Sequence, residues 1–256
     1  MFKKIKYPLY ALCVLIFFIY TEAYIPTPFP TICKEDHRSP TTLDLPLGRL
    51  FNTRNQTVNC TAFYLSSGVF ATAAHCDRYS GGFDELHFQI PLSDCSGKFT
   101  LPEKKNRFKV DRKSIRKAYN PNTSEDWLLF RLEELSPASE FDKKNLYFKL
   151  KKSLLSDKKK LQVSVAGYGR DEREPCKKLN YTLQITTAEG YLASWFYHFC
   201  DTHIGNSGSP VFIRTENGDL YVLGIHAGGG CPNIATSFQT NRLSRVLQDM
   251  GVTFEN

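Results

Sequence analysis

Apolar residues along this chain gather in short runs broken by polar and turn-forming residues, a pattern that predicts many short strands rather than long helices. Such runs fall at 47–53, 59–66, 68–73, 84–91, 107–111 and 127–132, and again at 146–151, 161–167, 181–188, 192–199, 210–215 and 220–227. The polar, Lys-rich stretch 133–145 separates the two sets of six, and no sequence repeat relates them. An all-β sandwich or barrel follows. One helix is predicted at the end, where Leu243, Val246, Leu247 and Met250 stand at helical spacing, with Asn241 as cap and Gly251 just beyond. Its apolar face should pack on a barrel. Residues 24–45 are Pro- and Thr-rich without periodicity and read as an extended arm or short pro-segment.

Ahead of that arm, Lys3, Lys4 and Lys6 precede an apolar stretch from Tyr7 to Tyr20, and Thr21-Glu22-Ala23 supplies small residues for cleavage. Residues 1–23 therefore read as a signal peptide, which predicts a secreted, extracellular product. At ~1.5 Å per residue the apolar stretch reaches only ~21 Å, short of the ~30 Å hydrocarbon core that an uncleaved anchor must cross.

The chain has 256 residues, 41% of them hydrophobic and 23% charged, enough to bury a sizeable core. Removing residues 1–23 takes away three lysines and one glutamate, so the formal charge falls from +7 to +5. The basic clusters, such as Lys104-Lys105, Arg116-Lys117 and Lys158-Lys159-Lys160, lack aromatic interleaving, so they read as solvated surface rather than a nucleic-acid site. On their own they support only a polyanion-binding module. Cys33, Cys60, Cys76, Cys95, Cys176, Cys200 and Cys231 remain after cleavage. The number is odd, so in an oxidising compartment most pair and one is left over. Asn55, Asn59, Asn122 and Asn180 open glycosylation sequons, which predicts a glycoprotein in a eukaryotic secretory pathway.

Three distant segments each bring a reactive polar residue to a strand end. The first is Thr72-Ala73-Ala74-His75-Cys76, whose small residues give the imidazole room to turn and whose loop Cys60 can pin by a disulfide to Cys76. In the second, Asp126 opens the apolar strand Trp127-Leu128-Leu129-Phe130. A buried carboxylate there needs donors, and a His Nδ1–H is one of them, although a plain strand-start Asp is the alternative. The third is Gly205-Asn206-Ser207-Gly208-Ser209-Pro210. Glycines on both sides of a serine permit a tight turn that exposes Oγ and aims the amides of Gly205 and Ser207 at one point, an oxyanion hole. An apolar strand and then Gly224-Ile225-His226-Ala227-Gly228-Gly229 follow.

These motifs, in the order His, Asp, Ser, resemble the chymotrypsin-like serine proteases, and the block Cys200 to Val211 is most similar to the glutamyl endopeptidase branch. The resemblance implies two six-stranded antiparallel Greek-key barrels, residues 46–140 and 141–256, the second carrying the C-terminal helix. The active site then lies between them, with His75, Asp126 and Ser207 as the catalytic triad of an endopeptidase acting through an acyl-enzyme. No cofactor or metal is expected. The expected partners are a peptide or protein substrate and a protein inhibitor, with neither nucleic acid nor stable membrane association, and the chain is expected to be a monomer. A catalytically inactive binding protein on the same fold is the other reading.

Against the trypsin-like pattern, Asn206 replaces the Asp that receives a freed amino terminus, and no Ile-Val-Gly-Gly start is present, although Arg38-Ser39 offers a processing site. Ala227 replaces a Ser that hydrogen-bonds the triad Asp, so Asp126 needs another donor. A second disulfide, Cys200–Cys231, is expected to brace the specificity pocket. Asp201, six residues before Ser207, sits at the offset that confers Lys/Arg specificity. Thr202 and His226 form the pair that glutamyl endopeptidases direct at a substrate carboxylate. Cleavage after Glu, with Asp weaker, is the expectation, with Asp201 pointing away from the bound side chain.

Overall fold

Six strands from the first half of the chain roll into a closed ring because their interior positions carry large apolar side chains that only one another can cover. In the computed structural model the described residues are 32, 35–41, 43–78, 81–90, 101–120, 125–152, 160–170, 179–191 and 194–256. The expected signal peptide and half of the arm, residues 24–31, 33, 34 and 42, lie outside them. A two-residue strand, β1 (Ser39–Pro40), comes first; β2 (Leu47–Asn52), β3 (Thr57–Ser66), β4 (Val69–Thr72), β5 (Glu85–His87), β6 (Arg107–Asn120) and β7 (Glu125–Leu132) then close as β2-β3-β4-β7-β6-β5, every pair antiparallel. Between β3 and β4, Ser67 (φ 54°) and Gly68 (φ 76°) make the two-residue reversal with both φ positive, the hairpin turn whose twist suits paired strands. Phe63, Phe70, Phe130, Leu65 and Leu86 are all fully buried, Phe70 stacking on Phe130 on one face of the wall while Phe63 packs from the other against Phe148 and Phe238.

The second half has β8 (Phe148–Lys151), β9 (Lys160–Arg170), β10 (Leu179–Glu189), β11 (Trp195–His198), β12 (Pro210–Arg214), β13 (Leu220–Gly228), β14 (Asn233–Ser237) and β15 (Phe254–Glu255). Its ring is β9-β10-β11-β14-β13-β12, closed by antiparallel β12–β9 pairing, so this too is a six-stranded antiparallel barrel. One member differs from the expected set. The run at 146–151 lies outside the ring as β8, paired in parallel to β13, and its place is taken by β14, which the pattern did not predict. β14 is short and has only two apolar residues, Ile234 and Ala235, so its hydrophobic signal is weak.

Among the described residues there are three α-helices, α1 (His75–Arg78), α2 (Ser136–Lys143) and α3 (Asn241–Asp249), besides a 3-10 turn at Lys104–Asn106. The seam 133–145 contains α2, whose Pro137 and Ala138 are buried. At α3 the cap is Thr240 rather than Asn241, its hydroxyl accepting the Leu243 N–H at 3.2 Å. Leu243 and Leu247 are fully buried, and the helix end is tied to the first barrel by Arg131, which donates to the Met250 carbonyl at 2.8 Å, and by Ser67, which donates to the Gly251 carbonyl at 3.0 Å. Among the described residues no helix is long and apolar enough to cross a membrane.

Candidate active site

Beyond Thr72 the chain runs through Ala73 and Ala74, both buried, into α1, which begins at His75. These methyl-sized side chains let the turn fold onto β3. Thr72 Oγ1 donates to the Thr61 carbonyl at 2.8 Å, and Cys76 is disulfide-bonded to Cys60 with Cα atoms 6.1 Å apart. On the outer side Asp77 holds Arg112 at 2.7 Å and Lys117 at 2.6 Å, fixing the same turn to β6.

Asp126, near the start of β7, is buried and meets His75 twice. Its Oδ1 accepts the His75 backbone N–H at 2.8 Å, and its Oδ2 lies 2.5 Å from His75 Nδ1. A carboxylate accepts, so Nδ1 carries the proton and Nε2 of the neutral ring is left as a base. With Ala at 227, the His75 amide is a second donor to the carboxylate. Thr236 of β14 closes over the same place, its Oγ1 accepting the Asp126 N–H at 3.2 Å.

Ser207 lies in the loop between β11 and β12, flanked by Gly205 (φ 104°) and Gly208 (φ 83°). A Cβ on Gly208 would stand 2.1 Å from Thr72 Oγ1, 2.3 Å from the Thr61 carbonyl and 3.1 Å from the Ala73 nitrogen, so the serine turn lies against the strand end that carries His75. Thr61 joins the barrels here. Its N–H donates to the Ser207 carbonyl at 2.8 Å, its Oγ1 donates to the Gly205 carbonyl at 2.9 Å, and that oxygen accepts the Tyr168 N–H at 2.9 Å. Both loop carbonyls are thus engaged, while the N–H groups of Gly205 and Ser207 have no hydrogen-bond partner among the described residues. Nor does Ser207 Oγ, and such a contact is often loose until substrate binds.

β13 zips onto the same turn: Gly208 N–H donates to the His226 carbonyl at 2.9 Å, and His226 N–H to the Ser209 carbonyl at 2.8 Å. The His226 ring is buried, with Nδ1 3.1 Å from His198 Nε2 on β11. Burial first, then His198 and His75, hold the His226 pKa well below 6.5, and burial lowers that of His198 to about 3. Both rings are therefore neutral at neutral pH. Among the described residues His198 Nδ1 has no hydrogen-bond partner. Since an orphaned acceptor is tolerated better than an orphaned N–H, the proton of His198 is assigned to Nε2, donating to His226 Nδ1, and that of His226 to Nε2.

Thr202 is buried, its hydroxyl donating to Asn233 Oδ1 at 3.3 Å. Asn233 also donates to the Cys200 carbonyl at 2.5 Å. Asp201 is buried as well; its Oδ2 accepts the His37 N–H at 2.9 Å, stands 2.9 Å from His37 Nδ1 and accepts Gln184 Nε2 at 3.2 Å. The expected Cys200–Cys231 bond is not formed. Cys200 is a free thiol inside the second barrel, among Val163, Val165, Phe196 and Val211, whereas Cys231 is exposed on the loop after β13 and disulfide-bonded to a partner outside the described residues. One cysteine is enclosed in the core and the other exposed and already bonded elsewhere, so the two do not pair. Sequence reading also missed Thr61, His198, Asn233 and Thr236, because their adjacency to the site arises only when strands distant in the chain pair.

The sequence matches the trypsin family model over residues 44–244. No curated protein matches it. Among solved structures, that of a Glu endopeptidase in complex with MPD aligns with a TM-score of 0.63 and 13% identity, covering 87% of this chain and 100% of that one, a likeness of fold. With that family match spanning most of its length, the chain belongs to the trypsin family and is a serine endopeptidase.

Proposed function

We propose that the protein is a secreted endopeptidase that cleaves after Glu, and more slowly after Asp, with His75, Asp126 and Ser207 as its catalytic residues. The observation that carries the triad is the doubly bonded His75–Asp126 pair, which leaves Nε2 as the base beside a glycine-flanked serine. In this reading Nε2 takes the Ser207 proton as Oγ attacks the scissile carbonyl, and the oxyanion settles on the N–H groups of Gly205 and Ser207. His75 then passes the proton to the departing amine, leaving the acyl on Ser207, and water reverses the sequence. Asp126 holds the tautomer and stabilises the imidazolium.

For specificity, the His198–His226 pair supports the Glu reading, because it presents the His226 Nε2–H as a donor from a buried wall beside the serine turn. Thr202 joins it once its hydroxyl turns from Asn233. A hydrogen bond to a charged group contributes about 1.5–3 kcal/mol, roughly tenfold to a hundredfold in discrimination. The Lys/Arg alternative is disfavoured because the Asp201 carboxylate is already engaged by His37 and Gln184. Secretion is supported by residues 1–23 and by the Cys60–Cys76 disulfide, which suits an oxidising compartment.

Initial rates on matched peptides bearing Glu, Asp, Gln, Lys, Arg or Phe before the scissile bond test this. Glu should be fastest, with Gln about tenfold or more slower. In His226→Val the Glu-to-Gln ratio should collapse toward one. A preference for Lys or Arg, or an unchanged ratio in the variant, overturns the pocket assignment. His75→Ala should lose several orders of magnitude in turnover.

A further inference from the structure

The arm ahead of the first barrel buries an ion pair beneath the serine turn. Arg38 is 2% exposed. Its Nε and Nη2 donate to the two carboxylate oxygens of Asp36 at 2.9 and 2.8 Å, a bidentate fork. Its remaining terminal nitrogen, Nη1, reaches Asn206 Oδ1 at 3.4 Å, and the same oxygen accepts the His203 N–H at 3.0 Å. One residue earlier, His37 holds Asp201 by both its backbone N–H and its ring. The three residues 36–38 thus grip the loop at both ends of 201–206, on the side of Asn206 that adjoins Ser207. Gly169 is the floor of the arrangement, for a Cβ there would stand 2.0 Å from Asn206 Oδ1 and 2.6 Å from Arg38 Nη1. The next residue of β9, Arg170, donates its N–H to the Ile204 carbonyl at 2.9 Å. β1 then seats the arm on the second barrel, with Ser39 opposite Leu183.

Desolvating a charged pair costs several kcal/mol per ion and adds little net stability, so a surface arm has no need of one. What the pair supplies is a fixed donor under Asn206. Drawing Asn206 inward sets the peptide that follows it, which carries the unpartnered Ser207 N–H, and steadies the turn 203–206, closed by the Asn206 N–H on the His203 carbonyl at 2.9 Å, from which the Gly205 N–H projects.

We propose that Arg38 is a positioning residue for the Ser207 turn, and that the uncut arm holds the active conformation in place. The inference rests on Ser207 being the nucleophile. It also reverses the expectation for Arg38-Ser39: a cut there would release the clamp and lower activity rather than raise it.

The test uses the full chain as wild type, Arg38→Ala and Arg38→Lys. A serine-directed phosphonate reports the labelling rate at Ser207, steady-state kinetics on the best peptide report kcat and KM, and thermal melting reports folding. Arg38→Ala should fold cooperatively, lose roughly tenfold to a hundredfold in both labelling rate and kcat with KM little changed, and recover in part when guanidinium is added at millimolar concentration. Arg38→Lys keeps a cation for Asp36 but not the fork, and should fall between the two. If Arg38→Ala does not fold, the Lys variant decides. Labelling and kcat within threefold of wild type in a folded variant overturn the clamp. A wild type labelled at no serine or at another one overturns the nucleophile assignment instead.

Discussion

At the scale of single residues, the informative chemistry is the neutral histidine pair. A base whose pKa is lower folded than unfolded binds fewer protons in the native state, so stability rises with pH between the two values and is fully present above the higher one. For His198 that window runs from 6.5 down to about 3. Acidification below pH 6.5 should therefore erode stability with a slope of up to about 1.4 kcal/mol per pH unit per proton. Urea unfolding at several pH values between 7 and 4, for wild type and His198→Phe, should give a visibly shallower acid limb in the variant. Equal limbs would place the acid sensitivity elsewhere. His226 was recognisable from its place in Gly-Ile-His-Ala-Gly-Gly, but His198 was not. Nothing local distinguishes it from any other residue of a Trp-Phe-Tyr-His strand, and its role comes from lying one strand over from Asn233 and facing β13 inside a closed ring.

At the scale of elements, sequence pattern located eleven of the twelve ring strands, because apolar runs bounded by turn residues record which side chains a barrel wall must cover. It lost β14, which is too poor in apolar residues to signal itself, and it missed α2, whose two buried small residues leave no helical stripe. At α3 the spacing of Leu243 and Leu247 fixed the helix but not its first residue, since Thr240 and Asn241 are both good caps. The hydrogen bond from Leu243 N–H to Thr240 Oγ1 decides between them. Thr240→Ala should destabilise the protein by about 1 kcal/mol, while Asn241→Ala should change little. Chemical denaturation of the two variants distinguishes the registers, and the reverse order would return the cap to Asn241.

At the scale of the whole molecule, the site exists because the barrels meet, and that meeting was the least legible feature of the sequence. Local motifs marked His75, Asp126 and Ser207, since each needs unusual neighbours: small residues, an apolar strand, paired glycines. Thr61 carries no such mark, yet its backbone and hydroxyl tie β3 to residues 205, 207 and 168. Gly167 lets this happen, for a Cβ there would stand 2.0 Å from Ser209 Oγ and 2.8 Å from Thr61 Oγ1. Thr61→Val keeps the shape but leaves the Tyr168 N–H and the Gly205 carbonyl unsatisfied. Removing one partner from a buried hydrogen bond costs about 1–3 kcal/mol. The variant should therefore melt lower and also lose turnover, because the same bonds orient the serine turn. A drop in melting temperature with turnover unchanged would separate barrel docking from catalysis.

The free thiol of Cys200 has a further meaning. It is sealed within the second barrel, and burial pushes its pKa up, so in the closed protein it is neither reachable nor ionised. It becomes chemically visible only when the wall of strands around it parts. The residue that cannot pair is thus an internal clock of barrel opening: its alkylation rate, followed on the peptide that contains it, counts how often that half of the molecule breathes, on a timescale set by the protein and not by its substrate.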